Sequence, residues 1–204
     1  MRLGLLSDIH EDVAGLCWAI QTLQSAGVEQ FVCLGDVSED GEAIDETCAI
    51  LAGAGVVGVW GNHDFGLCTA PMEVLADRFS PEALAYIRSY QARLSFGDCH
   101  FCHIEPCLDP RSGLDLWEQP SIPDSPERLA WNWEAVPERL LFMGHLHRWF
   151  AASSRGALPW SGERALSLAG PERFFVVVGA VCDGYCALVD TTAELLVPFT
   201  RDRA

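Results

Sequence analysis

Three short apolar runs, residues 2–7, 30–34 and 56–60, each break off at a polar turn: Ser7-Asp8-Ile9-His10, Gly35-Asp36 and Gly61-Asn62-His63-Asp64. Two helical segments separate them. Residues 12–26 repeat apolar side chains at Val13, Leu16, Ile20 and Leu23 before Gly27, and residues 42–53 read as a second helix. Strand–helix–strand–helix–strand is the pattern of a parallel sheet with crossover helices. In an open parallel sheet, ligands bind beyond the carboxyl ends of the strands. The alternation therefore predicts that the three polar turns share one edge.

The rest of the chain reads differently. Residues 72–78 and 81–91 are predicted helices. Strands are predicted at 93–96, 99–104, 139–143, 148–152, 164–169, 173–180, 184–190 and 194–199. Residues 105–126, rich in proline and acid, read as a long loop, and residues 126–135 as a short helix or aromatic lid with Trp131 and Trp133. Long loops in compact domains are often functional, so this one is a candidate substrate cover. The length predicts one domain, 1–204, with a loop or lid insertion near 105–135.

Composition removes several function classes. Hydrophobic residues make up 50% of the chain and charged residues 21%, which excludes a disordered chain. The apolar run 174–182 is far short of the ~20 residues of a membrane span, so no membrane partner is expected. Asp8 interrupts the N-terminal apolar stretch, no signal peptide fits, and a cytoplasmic location is expected. All 13 basic residues are arginine. Without lysine there is no Walker A phosphate loop, no Schiff base to pyridoxal phosphate and no kinase-type ATP lysine. The net charge of −16 argues against binding duplex nucleic acid. Residues 1–64 hold one arginine and eleven acids, a balance that repels phosphates or holds metal cations.

Two further polar clusters lie at predicted strand ends: His103 and Gly144-His145-Leu146-His147. Five of the six histidines now stand at such ends, with Asp8, Asp36 and Asn62. Imidazole, carboxylate and amide oxygen together suit zinc, manganese, iron or nickel rather than calcium. There are too many ligands for one tetrahedral ion, and the set suits two ions with one bridging carboxylate.

This ordered set, from Asp8 to the closing strands near residue 190, resembles the calcineurin-like metallophosphoesterase superfamily, and most of all its short, single-domain bacterial and archaeal phosphodiesterase-like branch. The resemblance implies an α/β fold, a four-layer α/β/β/α sandwich of two mixed sheets flanked by helices, with a dinuclear metal centre at one edge. It implies that Asp8, His10 and His147 hold one divalent ion and Asn62, His103 and His145 the other, with Asp36 bridging; manganese is the expected metal, with iron, nickel or zinc as alternatives. It implies that His63 faces the substrate without binding metal, and that Asp64 orients His63 by accepting its other ring N–H. The reaction implied is hydrolysis of a small phosphoester, a diester ahead of a monoester. In it a metal-bridging hydroxide attacks phosphorus while His63 assists the leaving group. A phosphoprotein phosphatase-like activity and a non-catalytic metal-bound scaffold are the alternatives. Retention of His63 beside all seven ligands favours the enzyme.

The chain departs from that pattern in places. Glu11-Asp12 follow His10 where the family often has Gly-Asn, and they read as a capped first helical turn. Ile104-Glu105-Pro106 follow His103 where the family often has glycine. The second motif, Gly-Asp-Val-Ser-Glu-Asp-Gly, lacks the Asn-His of the protein phosphatases. Val178-Gly-Ala-Val181 stands where the branch often has Asn-Pro-Gly-Ser-Val.

Two other motifs dissolve on inspection. Gly53-Ala-Gly55-Val-Val-Gly58 follows a helix and opens a strand, the reverse of a dinucleotide fingerprint. Cys99-His-Phe-Cys102-His103 matches a haem-attachment signature, but on a strand the two cysteines point to opposite faces. The nine cysteines are expected to be reduced thiols. Arg111 and Arg148 read as surface arginines that could reach a substrate phosphate.

Overall fold

The computed structural model describes residues 1–118 and 121–202; Gln119 and Pro120, inside the predicted lid, lie outside the described residues. The elements run β1 (Arg2–Leu6), α1 (Val13–Ser25), β2 (Gln30–Cys33), α2 (Ile44–Gly53), β3 (Val57–Gly58), α3 (Phe65–Thr69), α4 (Met72–Leu75), α5 (Pro81–Ile87), β4 (Leu94–Phe96) and β5 (Cys99–Cys102). They continue α6 (Gly113–Leu116), α7 (Pro126–Ala135), β6 (Leu140–Met143), β7 (Phe150–Ser153), β8 (Gly156–Ala157), β9 (Leu166–Ser167), β10 (Phe174–Val177), β11 (Tyr185–Asp190) and β12 (Leu195–Thr200).

The strands form two six-stranded mixed sheets, ordered β3-β2-β1-β11-β12-β9 and β4-β5-β6-β10-β7-β8. The predicted parallel unit is present: β1 pairs β2 and β2 pairs β3, both parallel. In the second sheet β5, β6 and β10 run parallel, flanked by antiparallel strands.

Period-two alternation makes the layers. Leu3, Leu5, Val32 and Leu34 of the first sheet face Phe101, Phe142 and Val176 of the second, forming the inter-sheet core. Leu6 and Cys33, one residue out of phase, point the other way, onto Leu16, Ile20, Leu23, Leu51 and Leu84 of the helices. The outer face of the second sheet, with Cys102, Leu141, Met143 and Phe175, is covered by Leu129 and Trp133 of α7. The result is the expected helix–sheet–sheet–helix order. Cys99 lies in the inter-sheet core and Cys102 under α7, on opposite faces as predicted. All nine cysteines are free thiols. No helix of the described residues is long and apolar enough to cross a membrane.

Some boundaries shift. The strand expected at 56–60 keeps its ladder only over β3; Val59 still donates to the Cys33 carbonyl, and Val59 and Trp60 also bridge to Gln91. The helix expected at 72–78 is the single turn α4, and that at 81–91 ends as α5 at Ile87. The helices α3 and α6 and the strand β8 were not predicted. α6 lies inside the stretch read as loop, where the Ser112 hydroxyl accepts the Asp115 N–H and starts the turn.

Candidate metal centre

The β1–α1, β2–α2 and β3–α3 turns meet at the carboxyl edge of the first sheet. The segments after β5 and β6 bring His103, His145 and His147 from the second. The backbone there is unusual. Asp8, His10, Glu11, Asp36, His145 and His147 all have positive φ, between 47° and 71°, and Glu194 is the one other described non-glycine residue that does. Left-handed backbone costs an L-residue energy, and such residues cluster where a site demands their geometry. Two glycines permit the close approach. A Cβ on Gly61 would lie 2.1 Å from Asp36 Oδ1, and one on Gly144 2.2 Å from Ser7 Oγ.

Seven side chains converge in two groups. In one, His10 Nε2 lies 3.1 Å from His147 Nε2 and 3.7 Å from Asp36 Oδ2. His147 Nε2 is 3.6 Å from Asp8 Oδ1. In the other, His103 Nε2 lies 3.3 Å from the same Asp36 Oδ2, 3.0 Å from Asn62 Oδ1 and 3.2 Å from His145 Nδ1. Asp36 Oδ1 is taken up by the His63 N–H, so Oδ2 is the oxygen that both groups share.

The outer nitrogen of each ring has its own partner. His103 Nδ1–H donates to the Leu34 carbonyl at 2.8 Å and His145 Nε2–H to the Glu118 carbonyl at 3.1 Å. A carbonyl only accepts, so it holds a proton on the outer nitrogen and turns the inner one to the cluster, where it takes either a second proton or a cation. His10 Nδ1 faces Glu39 Oε2 at 2.5 Å, and His147 Nδ1 faces Asp183 Oδ2 at 3.4 Å and Cys182 Sγ at 3.7 Å. Once the inner nitrogens are deprotonated, lone pairs and carboxylate oxygens point at one another inside both groups. Such a set repels itself unless cations stand between its members. Ligands about 2.0–2.2 Å from a divalent ion sit roughly 3.0–3.6 Å from each other, which matches these separations. An outer acceptor on each imidazole is also how metal-binding histidines are oriented. The donor set therefore fits divalent metal.

The charges agree. Burial opposes protonation of His103, but the Asp36 and Asp8 carboxylates outweigh it and raise the group to about 9. Burial likewise opposes ionisation of Asp36, yet His103 prevails and holds that carboxyl well below the usual range. Asp8 is fully buried and its carboxyl is pushed upward, chiefly by burial. His145 is pushed downward, by burial and then by His103. The buried carboxylates Asp8 and Asp36 thus favour positive charge beside His103, which a bound cation would supply.

His63 stands at the rim. Its ring lies 4.8 Å from that of His10, edge-on, and 5.2 Å from the Trp117 indole. One of its nitrogens comes within 4.8 Å of donors on His10 and Asp36. The role expected for Asp64 is corrected here. Its Oδ1 accepts the Val37 and Ser38 N–H groups and its Oδ2 the Gly61 N–H, so it ties the second turn to the third. Both oxygens are spent on backbone, and burial with the nearby Asp36 pushes the carboxyl up to about 6. The carboxylate facing His63 belongs to Glu39, at 3.4 Å from Nδ1.

Sequence reasoning missed Glu39, whose approach to the His10 and His63 rings is set from another turn. It also missed the Glu118 carbonyl, which no side-chain pattern encodes. Glu11 does not cap the helix. Its carboxylate accepts the N–H groups of Glu39, Gly41 and Ala43 and fixes the loop that presents Glu39. Asp12 does cap α1, through the Gly15 N–H. Arg148 is exposed, and its Nε–H reaches the Leu146 carbonyl at 3.4 Å. Arg111 lines a surface depression with Trp60 and Arg93, apart from the cluster.

A family model described as the calcineurin-like phosphoesterase superfamily domain matches residues 1–185. A metallophosphoesterase from Sphaerobacter thermophilus has a similar structure. Its TM-score is 0.77 at 22% identity, over 100% of this chain and 90% of that one. An archaeal phosphodiesterase is similar at a TM-score of 0.57 and 16% identity, covering 98% of this chain and 100% of the other. An uncharacterized protein of Methanocaldococcus jannaschii is 23% identical over 165 residues, 76% of this chain. The match spans 66% of that relative, just under two thirds of its length.

Proposed function

The chain belongs to the calcineurin-like phosphoesterase superfamily, a family of metal-dependent phosphoester hydrolases, and from that premise we propose that it hydrolyses a small phosphodiester with two divalent ions bound at the edge of its two sheets. The observation that carries this reading is the pair of inward-facing ligand groups joined by Asp36 Oδ2. Asp8, His10 and His147 would hold one ion and Asn62, His103 and His145 the other, with Asp36 shared. Manganese is the metal proposed.

Two such ions supply positive charge for phosphate oxygens and acidify a bound water. The chain's own residues do the rest. The Leu34 and Glu118 carbonyls hold the rings of His103 and His145, and Glu39 and Asp183 hold those of His10 and His147. His63, partly exposed beside His10, supplies a proton to the leaving oxygen. Glu39 positions the His63 ring in place of Asp64. The segment 105–135 serves as a cover within a single domain. Arg93 grips its base by donating to the Pro106 and Leu108 carbonyls, and its Trp117 and Glu118 reach the centre. The acidic surface supports a small substrate over duplex nucleic acid.

The test is metal analysis beside hydrolysis. Purified protein is loaded with manganese and assayed on a model diester and a model monoester. Two ions per chain and faster diester hydrolysis are expected. No hydrolysis of either ester at full loading overturns the reading in favour of a metal-bound scaffold.

A further inference from the structure

A groove of about 260 Å³ opens beside His63, lined among others by Ser38, Glu39, Leu67, Leu75 and Phe79. Its lining joins apolar Leu67, Ala70, Leu75 and Phe79 to charged Glu39, Asp40 and Arg78, and it includes the residue assigned to the leaving group. An indole outside that lining packs against the same His63 ring. The Trp117 ring lies 5.2 Å from the His63 ring, inclined at 46°, and the residue is 58% exposed. Tryptophan is highly buried on average, so an open indole against a site histidine needs a reason.

The position of Trp117 is braced rather than loose. Leu116 beside it is fully buried. Asp115 holds the turn before it, accepting the Asp109 N–H and the Ser112 hydroxyl. Trp60 Nε1–H donates to the Pro110 carbonyl, and the Glu118 carbonyl is bonded to His145. The segment therefore presents one aromatic face at a set distance from His63.

We infer that Trp117 and the His63 groove form a leaving-group subsite, and that it takes an alcohol carrying a planar aromatic group. The inference rests on the reading of His63 given above. A planar ring gains dispersion and quadrupole attraction from an indole face, and nucleobases and aryl rings share that property, whereas an aliphatic alcohol lacks it. Trp117 is then a specificity residue, set by the one segment that also supports His145.

The experiment compares kcat/KM for two methyl phosphodiesters whose leaving alcohols match in acidity, one with an aromatic ring and one aliphatic. Trp117→Ala lowers the aromatic-to-aliphatic ratio about tenfold, the order expected for a lost stacking partner. Trp117→Phe keeps the ratio. Val57→Ala is the control, since that exposed side chain on β3 lies outside both the groove and the covering segment, and it leaves the ratio unchanged. An unchanged ratio in Trp117→Ala overturns the subsite. Binding of adenosine and of naphthylmethanol to the full chain, followed by tryptophan fluorescence, separates the two sources of an aromatic ring. Binding of either that Trp117→Ala abolishes supports the subsite, and binding of neither overturns it. If Trp117-dependent binding persists while no ester is cleaved at full metal loading, the subsite stands and the hydrolytic reading falls.

Discussion

Glu39 sets its carboxylate 3.4 Å from His63 Nδ1, while Asp64, the next residue after His63, turns both oxygens onto backbone N–H groups. The same Glu39 oxygen lies 2.5 Å from His10 Nδ1. One carboxylate therefore orients a proposed metal ligand and the proposed acid together. Glu39→Ala should free the His63 ring and lower kcat about tenfold on a diester with a poor leaving group, with a smaller loss on a nitrophenyl ester. Glu39→Gln keeps an oxygen for either ring and should restore most of the rate. Equal rates for the alanine variant and the wild type on the poor leaving group would remove Glu39 from the mechanism.

His63 and Asp36 separate chemistry from metal binding. His63→Ala should keep both ions and lose about 10²–10⁴ in kcat, the usual worth of a positioned acid or base. Asp36→Asn removes the charge that both ligand groups share, and metal content should fall to one ion or none. Elemental analysis beside kinetics checks both. Loss of an ion from His63→Ala would make His63 a ligand.

Asp64 should behave as a structural residue. Asp64→Ala leaves the Val37, Ser38 and Gly61 N–H groups without their acceptor in a buried turn. Unpaired buried donors cost about 1–3 kcal/mol each, so a loss of about 3 kcal/mol is expected even with partial relaxation. Thermal melts should fall by roughly 10 °C for a chain of this size. A melt unchanged within a degree or two would contradict this role.

Metal uptake should expel protons. In the metal-free protein His103 keeps its proton up to about 9, against an ordinary 6.5, because Asp36 and Asp8 outweigh burial. A ligating imidazole must be neutral, so binding near pH 7 should release a proton, and affinity should climb as pH rises towards about 9. The sign for stability is opposite. A raised folded-state value adds stability that is complete below 6.5 and is lost as pH rises through about 9. A pH indicator in weak buffer measures the release, and melts of the metal-free chain across that range measure the stability. Metal uptake near pH 7 with no proton release would show that His103 is already neutral there.

Much of this was legible in residue order. The apolar runs such as Leu3 to Leu6 marked the strands, and the layering followed from the family resemblance that the polar turns carry; in the structure Leu3 and Leu5 face one layer and Leu6 the other. The polar turns after β1, β2 and β3 follow from parallel topology, which brings strand ends to one edge. The residue types Asp8, His10, Asp36, Asn62, His103, His145 and His147 carry their ligand chemistry wherever they stand. The partners of those residues were not legible. The orientation of His63 depends on which carboxylate reaches it, and Glu11 decides that from the neighbouring turn by gripping the backbone around Glu39. The support of His145 is a carbonyl at Glu118, identical in every residue and visible only once a segment 27 positions earlier folds over it. Sequence by itself determined the principal strands and helices and the donor types, because these rest on local apolar pattern and side-chain chemistry. Tertiary structure alone decided which oxygen faces which nitrogen, because a hydrogen bond depends on a few tenths of an ångström between groups distant in the chain.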